Sequence, residues 1–95
     1  MPTLHIEHAI SDFEVWQLAF RRFDGARQQA GVRSYQVHRP VDDAKYVVID
    51  LDFHTVEQAE RFRSFLHETV WASSANSPAL VGPPETKILQ LALSS

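Results

Sequence analysis

The spacing of the hydrophobic residues changes along this chain from every second position to every third or fourth and back again, twice. A period of two is typical of a half-buried strand, and a period of three to four is typical of an amphipathic helix. The order is strand, helix, strand, strand, helix, strand, which leaves few possible topologies. The predicted strands are 4–10, 32–39, 45–53 and 86–93, and the predicted helices are 11–30 and 55–70.

Local signals predict where the helices begin and end. Ser11 followed by Glu14, and Thr55 followed by Gln58, have the spacing of a capping box, in which each side chain bonds a free backbone donor. Gly31 is the predicted end of the first helix because glycine adopts the left-handed conformation readily. The stretch 72–84 is rich in Ser, Asn, Gly and Pro, and we expect a loop there.

These elements predict an α+β protein with the ferredoxin-like βαββαβ order, in which two helices cover one face of a four-stranded antiparallel sheet. We expect residues 1–95 to form a single domain, because half of this length would bury too small a core. The last strand is apolar on both sides, so we expect a homodimer to cover it. The predicted core is Leu4, Ile6, Phe20, Phe23, Val37, Ile49, Leu51, Phe62, Leu66, Leu89 and Leu91.

Composition and charge argue against several classes of partner. The net charge is -3, with no extended basic cluster, which argues against a nucleic-acid partner. The N-terminus has no basic region or long apolar run, so we expect no signal peptide, no membrane partner and a cytoplasmic location. The chain has no cysteine, which excludes disulfides and thiolate chemistry.

The chain resembles the dimeric α+β barrel superfamily, in which two ferredoxin-like subunits place their sheets face to face. The resemblance is carried by the third strand and second helix, 46–53 and 55–59, with Phe65-Leu66 and Val70-Trp71 following. The superfamily includes antibiotic-biosynthesis-type monooxygenases, haem-degrading enzymes, isomerases and many small proteins of unknown role. Fold alone therefore does not select a reaction.

The chain departs from the haem-degrading pattern that the resemblance would otherwise imply. The first strand has no Asn, Phe65 lies near the position of the expected Trp, and Ala75 lies near that of the expected His ligand. His67 would bind haem iron only from a position different from that of the family's His ligand. A lone helical His is usually exposed or hydrogen-bonded. Haem degradation is therefore disfavoured.

The first candidate site lies between sheet and helices, where the resembling monooxygenases hold their substrates. We predict His8, Trp16 and Trp71 as catalytic residues there, with a small aromatic molecule as the possible ligand. An apolar pocket with one or two polar groups suits a flat aromatic compound. The alternative is ordinary core packing, the usual role of aromatic residues at helical spacing.

The second candidate is a polar sheet face on three strands that the topology makes neighbours: His5, Glu7, His38, Asp50 and Asp52. Imidazole and carboxylate groups bind divalent metals or act as acid and base. The alternative is a dimer interface whose charges pair with one another. No spacing is diagnostic of a metal site, so we expect no metal.

Two functional hypotheses remain. The first is a monooxygenase-like enzyme that needs no cofactor and acts on a small aromatic or polyketide-like compound. The sequence contains neither a glycine-rich phosphate loop nor a nucleophile motif, so it indicates neither nucleotide binding nor nucleophilic catalysis. The second is a non-catalytic dimeric module that binds a ligand or a partner protein.

Overall fold

The computed structural model describes all of residues 1–95. Four strands and three α-helices follow one another, with a single π-helical turn after the third helix. In chain order the elements are β1 (Thr3–Ile10), α1 (Phe13–Arg22), α2 (Asp24–Ala30), β2 (Ser34–His38), β3 (Tyr46–Asp52), α3 (Val56–Phe65), the π-turn (Leu66–Val70) and β4 (Leu80–Leu89).

The four strands form one antiparallel sheet in the order β2-β3-β1-β4, so the predicted ferredoxin-like topology is confirmed. In β1 and β3 every second residue is buried, as the alternating sequence predicted. The register places Ile6 opposite Ile49 and Leu4 opposite Leu51, so their side chains form one apolar face. Residues between them, such as His5 and Asp50, lie on the opposite face.

The first predicted helix is interrupted, and its predicted start is wrong by one residue. The side chain of Asp12, not Ser11, caps α1 by accepting a hydrogen bond from the backbone of Val15 at 3.0 Å. The backbone of Ser11 instead donates to the Ala79 carbonyl at 2.9 Å, which keeps Ser11 in the extended chain. Phe23 separates α1 from α2, and α2 ends at Gly31 in the left-handed conformation as predicted.

The second predicted helix begins as expected and ends differently. The capping box of Thr55 and Gln58 is present in full. Beyond α3 the backbone widens into the π-turn, where the amide of Trp71 donates to the carbonyl of Leu66 at 2.7 Å. Single π-turns within helices are rare and are often found at functional sites.

The predicted boundaries of the last strand are wrong. β4 begins within the expected loop, passes through Pro83 and Pro84, and ends at Leu89 rather than at residue 93. Its pairing with β1 shifts between Glu7 and Ala9, where residues 82–84 lie opposite the single residue His8. This β-bulge accommodates the prolines, which have no N–H to contribute to a regular ladder.

One core lies between the sheet and the helices. Of the predicted core, Leu4, Ile6, Ile49, Leu51, Phe62 and Leu66 are buried, while Phe20, Phe23 and Val37 are partly buried at its margin. Leu89 and Leu91 were predicted wrongly, since they are 44% and 71% exposed. Leu89 pairs with Thr3 on the face away from the helices, and Leu91 follows the end of β4.

None of the helices is both long enough and apolar enough to span a lipid bilayer.

Candidate functional site

A small cavity lies between the sheet and the helices and brings together the three residues predicted from sequence. His8, Trp16 and Trp71 all line it, and its volume is about 60 Å³. Most of the other lining residues are hydrophobic, and Asn76 and Ser77 border it near the start of β4. The arrangement is an apolar pocket with few polar groups, the usual composition of a site for an apolar ligand.

His8 is held in one tautomer by its backbone surroundings. The side chain projects from the apolar face of β1 and is only 4% exposed. Its Nδ1 lies 2.9 Å from the carbonyl oxygen of Ala9, which only accepts hydrogen bonds, so Nδ1 carries the proton. Burial lowers the pKa of His8, which keeps the ring neutral at neutral pH. Nε2 therefore has a free lone pair and no protein partner.

Trp71 forms a half-buried wall of the cavity between two histidine rings. Its indole meets the ring of His8 edge-on at 6.5 Å between centroids and the exposed ring of His67 at 4.9 Å. The π-turn sets its position by shifting the chain by one residue at the end of α3. Trp71 thus lies between solvent and His8.

Trp16 combines packing and cavity-lining roles. It belongs to the hydrophobic core and stacks on Phe20 with 4.8 Å between ring centroids, while Phe13 lies 5.7 Å away on its other side. Trp16 is 9% exposed, so core packing, the alternative role given above for this residue, is observed. Its ring also forms part of the cavity surface.

Arg27 is a cavity residue that was not predicted from the sequence. It is 5% exposed, its guanidinium lies 3.7 Å from the centre of the Phe20 ring, and it donates to the Phe20 carbonyl at 2.9 Å. A second donor bonds the Asp24 carboxylate. Arg27 follows Phe20 by seven positions, two helical turns, so the spacing that places it on the apolar face was present in the sequence.

The polar sheet face contains a hydrogen-bonded chain centred on His5. Nδ1 of His5 lies 2.7 Å from Asp50 Oδ1, and Nε2 lies 2.8 Å from Glu7 Oε2. The hydroxyl of Tyr46 donates to the other oxygen of Glu7 at 2.7 Å. With an acceptor at each nitrogen, His5 is stabilised as the imidazolium, so its pKa is raised, chiefly by Glu7.

The same contacts shift the pKa values of the partners. The pKa of Glu7 is lowered by the hydrogen bond from Tyr46 and then by that from His5. The carboxylate in turn raises the pKa of Tyr46 to about 12. Both nitrogens of His5 are engaged by carboxylates, so neither offers a free lone pair to a metal ion.

The other two residues predicted for this face, Asp52 and His38, are not part of the hydrogen-bonded chain centred on His5. Asp52 accepts hydrogen bonds from Thr3 at 2.7 Å and from Ser34 at 2.9 Å, which links β1, β3 and β2. His38 lies on the same face, opposite Val48 at the end of β2, and forms none of these bonds. Four of the five residues predicted for this face thus form side-chain hydrogen bonds within it.

Comparison with known proteins identifies the fold. A candidate antibiotic biosynthesis monooxygenase from Bordetella bronchiseptica superposes with a TM-score of 0.74 at 13% identity, covering 97% of this chain and 98% of that one. A second, from Nitrosomonas europaea, gives a TM-score of 0.70 at 14% identity over 96% and 89% of the two chains. A dimeric ferredoxin-like protein from an uncultured marine organism gives 0.66 at 9% identity over 99% and 97%.

No protein-family model matches the sequence, and no curated protein matches it significantly. Structural similarity at such low identity establishes the fold and leaves the reaction open. The chain therefore has a ferredoxin-like α+β fold that resembles, in structure, proteins assigned as antibiotic biosynthesis monooxygenases.

Proposed function

We propose that this protein is a monooxygenase-like enzyme that needs no cofactor and oxidises a small aromatic or polyketide-like compound in the cavity at His8. The observation that carries the proposal is the state of His8 itself. A neutral imidazole with a free Nε2, buried in an apolar cavity beside an indole, has the properties of a general base. Structural similarity to the candidate monooxygenases gives further support.

The proposed chemistry requires only a base and dioxygen. Nε2 of His8 removes a proton from an acidic O–H or C–H group of the bound compound, and the resulting anion is electron-rich enough to reduce dioxygen. One oxygen atom is incorporated as the methylene of an anthrone, or the ring C–H para to a phenol hydroxyl, becomes a carbonyl, and the other leaves as water. This four-electron oxidation of the substrate supplies all the electrons that dioxygen accepts. The apolar walls favour the reaction because they exclude water from the anion.

Trp71 is the proposed entrance to the cavity. A cavity of about 60 Å³ is well below the roughly 150 Å³ of an engineered protein cavity that admits benzene. An aromatic substrate must therefore displace a wall, and Trp71 is half-buried and next to the π-turn. In this proposal the indole swings outward to admit the substrate and then closes over it.

We further propose that the enzyme is a homodimer that buries the polar sheet face. Two structural neighbours from an uncultured marine organism are described as dimeric ferredoxin-like proteins. The hydrogen bonds between side chains on this face lower the free-energy cost of burying it, because a charged group that keeps its partners loses less solvation energy than an unpaired one.

Oxygen uptake with a panel of phenols and anthrones tests the proposed reaction. We expect dioxygen consumption with at least one compound, and we expect His8→Gln to reduce the rate by about 10²–10⁴-fold, the usual contribution of a general base. His38→Gln is the matched control, because His38 lies on the opposite face of the sheet, and it should retain the rate.

The second candidate function is a non-catalytic dimeric module that binds a small ligand. Two features favour it. The cavity is small for an aromatic substrate, and both ring nitrogens of His5 are occupied by carboxylates, so His5 is not free to react. It predicts that panel compounds bind without dioxygen consumption and that His8→Gln leaves their affinity within about threefold of the unsubstituted protein.

A further inference from the structure

The cavity is bordered by one permanent positive charge and by no carboxylate. Its lining includes Arg27 and the neutral His8, together with Asn76 and Ser77, and no Asp or Glu. The negatively charged partner of Arg27 is Asp24, whose side chain is 59% exposed and lies toward solvent. In an apolar, weakly polarisable cavity a charge on one wall acts over a longer range than it does in water.

The guanidinium of Arg27 also retains hydrogen-bonding capacity. Of its five N–H bonds, one is donated to the Phe20 carbonyl and one to Asp24, so three have no protein acceptor. Stacking on the Phe20 ring and the hydrogen bond to the Phe20 carbonyl hold the group in place, which reduces the entropy lost on binding a ligand. A fixed guanidinium with free donors is well suited to a carboxylate.

The polar groups of the cavity therefore differ in what they require of a ligand. Arg27 offers hydrogen-bond donors and a positive charge. His8, with its proton on Nδ1, offers only an acceptor at Nε2, and a carboxylate placed there would be repelled. A hydroxyl group satisfies His8, and a carboxylate satisfies Arg27.

We infer that the ligand is a small aromatic hydroxy acid, with its carboxylate at Arg27 and its hydroxyl at His8. The inference rests on the proposed function in that it uses the same cavity, and it adds the charge of the ligand and the residue that selects it. Arg27 is thus assigned as the residue that determines specificity, while His8 acts on the hydroxyl proton.

Matched pairs of hydroxybenzoate and hydroxybenzamide isomers test the inference, because the two series differ in charge and hardly in shape. Binding is followed by NMR through the indole N–H signals of Trp16 and Trp71, which lie in the cavity walls. We expect at least one hydroxybenzoate to bind about tenfold more tightly than its amide. In Arg27→Gln the acid and amide should bind within about twofold of each other.

Because Arg27 is buried, Arg27→Gln risks misfolding, so Asp24→Asn provides a second variant at an exposed position. Removing the competing carboxylate should tighten hydroxybenzoate binding and leave hydroxybenzamide binding unchanged. Unchanged or weaker acid binding in Asp24→Asn would contradict the role of Arg27.

The remaining outcomes separate this inference from the proposed function. Equal binding of acid and amide overturns the charge selection but retains the cavity as a ligand site. Acid binding without a shift of either indole signal places the anion outside the cavity, in the surface groove that Arg27 shares with Arg33, and also overturns it. If neither series binds while oxygen uptake with phenols persists, the ligand class is wrong and the proposed reaction stands.

Discussion

His5 and His8 lie three positions apart on β1 and face opposite sides of the sheet, where their surroundings shift their pKa values in opposite directions. Carboxylates at both ring nitrogens raise the pKa of His5. Burial without a charged partner lowers the pKa of His8. The alternation of a strand thus gives one histidine a permanent partner and leaves the other as a free base.

These shifts predict a stability maximum near the ordinary histidine pKa of about 6.5. Below that value the unfolded chain binds more protons at His8 than the folded one, so stability falls as the pH decreases. The stabilisation from His5 is complete below about 6.5 and is lost as the pH rises through its raised folded pKa.

Urea denaturation between about pH 5 and 8 separates the two contributions. His8→Gln should flatten the acid side of the profile, and His5→Gln should flatten the alkaline side. Each variant is the control for the other. A His8→Gln profile that falls as steeply toward acid as that of the unsubstituted protein would contradict the assignment of His8 as a buried neutral ring.

At the scale of elements, the helix caps show how local chemistry and tertiary pairing compete. Ser11 and Asp12 are both good capping residues, and the sequence spacing to Glu14 favoured Ser11. Pairing of the Ser11 backbone with Ala79 keeps that residue in the extended chain, so the helix begins one position later. The residue that decides between them, Ala79, lies immediately before β4, far along the sequence.

Alanine substitution measures this competition directly. Asp12→Ala should lower the free energy of unfolding by about 1 kcal/mol, because the backbone amide of Val15 loses its acceptor. Ser11→Ala should change it by less than about 0.5 kcal/mol. Thermal or urea unfolding of both variants tests the pair, and a larger effect at Ser11 would refute the observed cap.

The sequence predicted those parts of the fold that are encoded locally. Alternation predicted β1 and β3 and their buried faces, and it placed His8 on the apolar side. The bulge in β4 was not predictable in this way, because Pro83 and Pro84 are acceptable only where β1 offers no regular partner. Arg27 was not predicted, because a charged residue is normally expected at the surface even where its helical spacing places it on the apolar face. Its burial depends on contacts with Phe20 and Asp24.

At the scale of the molecule, the proposed dimer requires that the sheet face carrying His5 be covered. Leu89 projects from this face opposite Thr3 and is 44% exposed. The chain continues beyond β4 with Leu91 and Leu93, which are also exposed. An apolar margin beside a paired polar centre is a suitable surface for a second copy.

Sedimentation equilibrium at micromolar concentration tests the dimer. We expect a dimer that Leu89→Asp dissociates, because the new carboxylate would be buried beside Thr3 without a partner. Leu18→Asp is the control, since Leu18 on α1 is 65% exposed and lies away from the sheet. A monomer in the unsubstituted protein, or equal dissociation by Leu18→Asp, would contradict the proposal.

The two prolines of β4 also determine how copies of this protein avoid uncontrolled assembly. β4 lies at the edge of the sheet, where unpaired backbone groups offer a template for a foreign strand. Pro83 and Pro84 lack N–H groups, and the bulge around them breaks the regular row of donors and acceptors. Growth into fibres through this edge is therefore obstructed at its middle, whereas the other edge, β2, is protected by its length of only five residues.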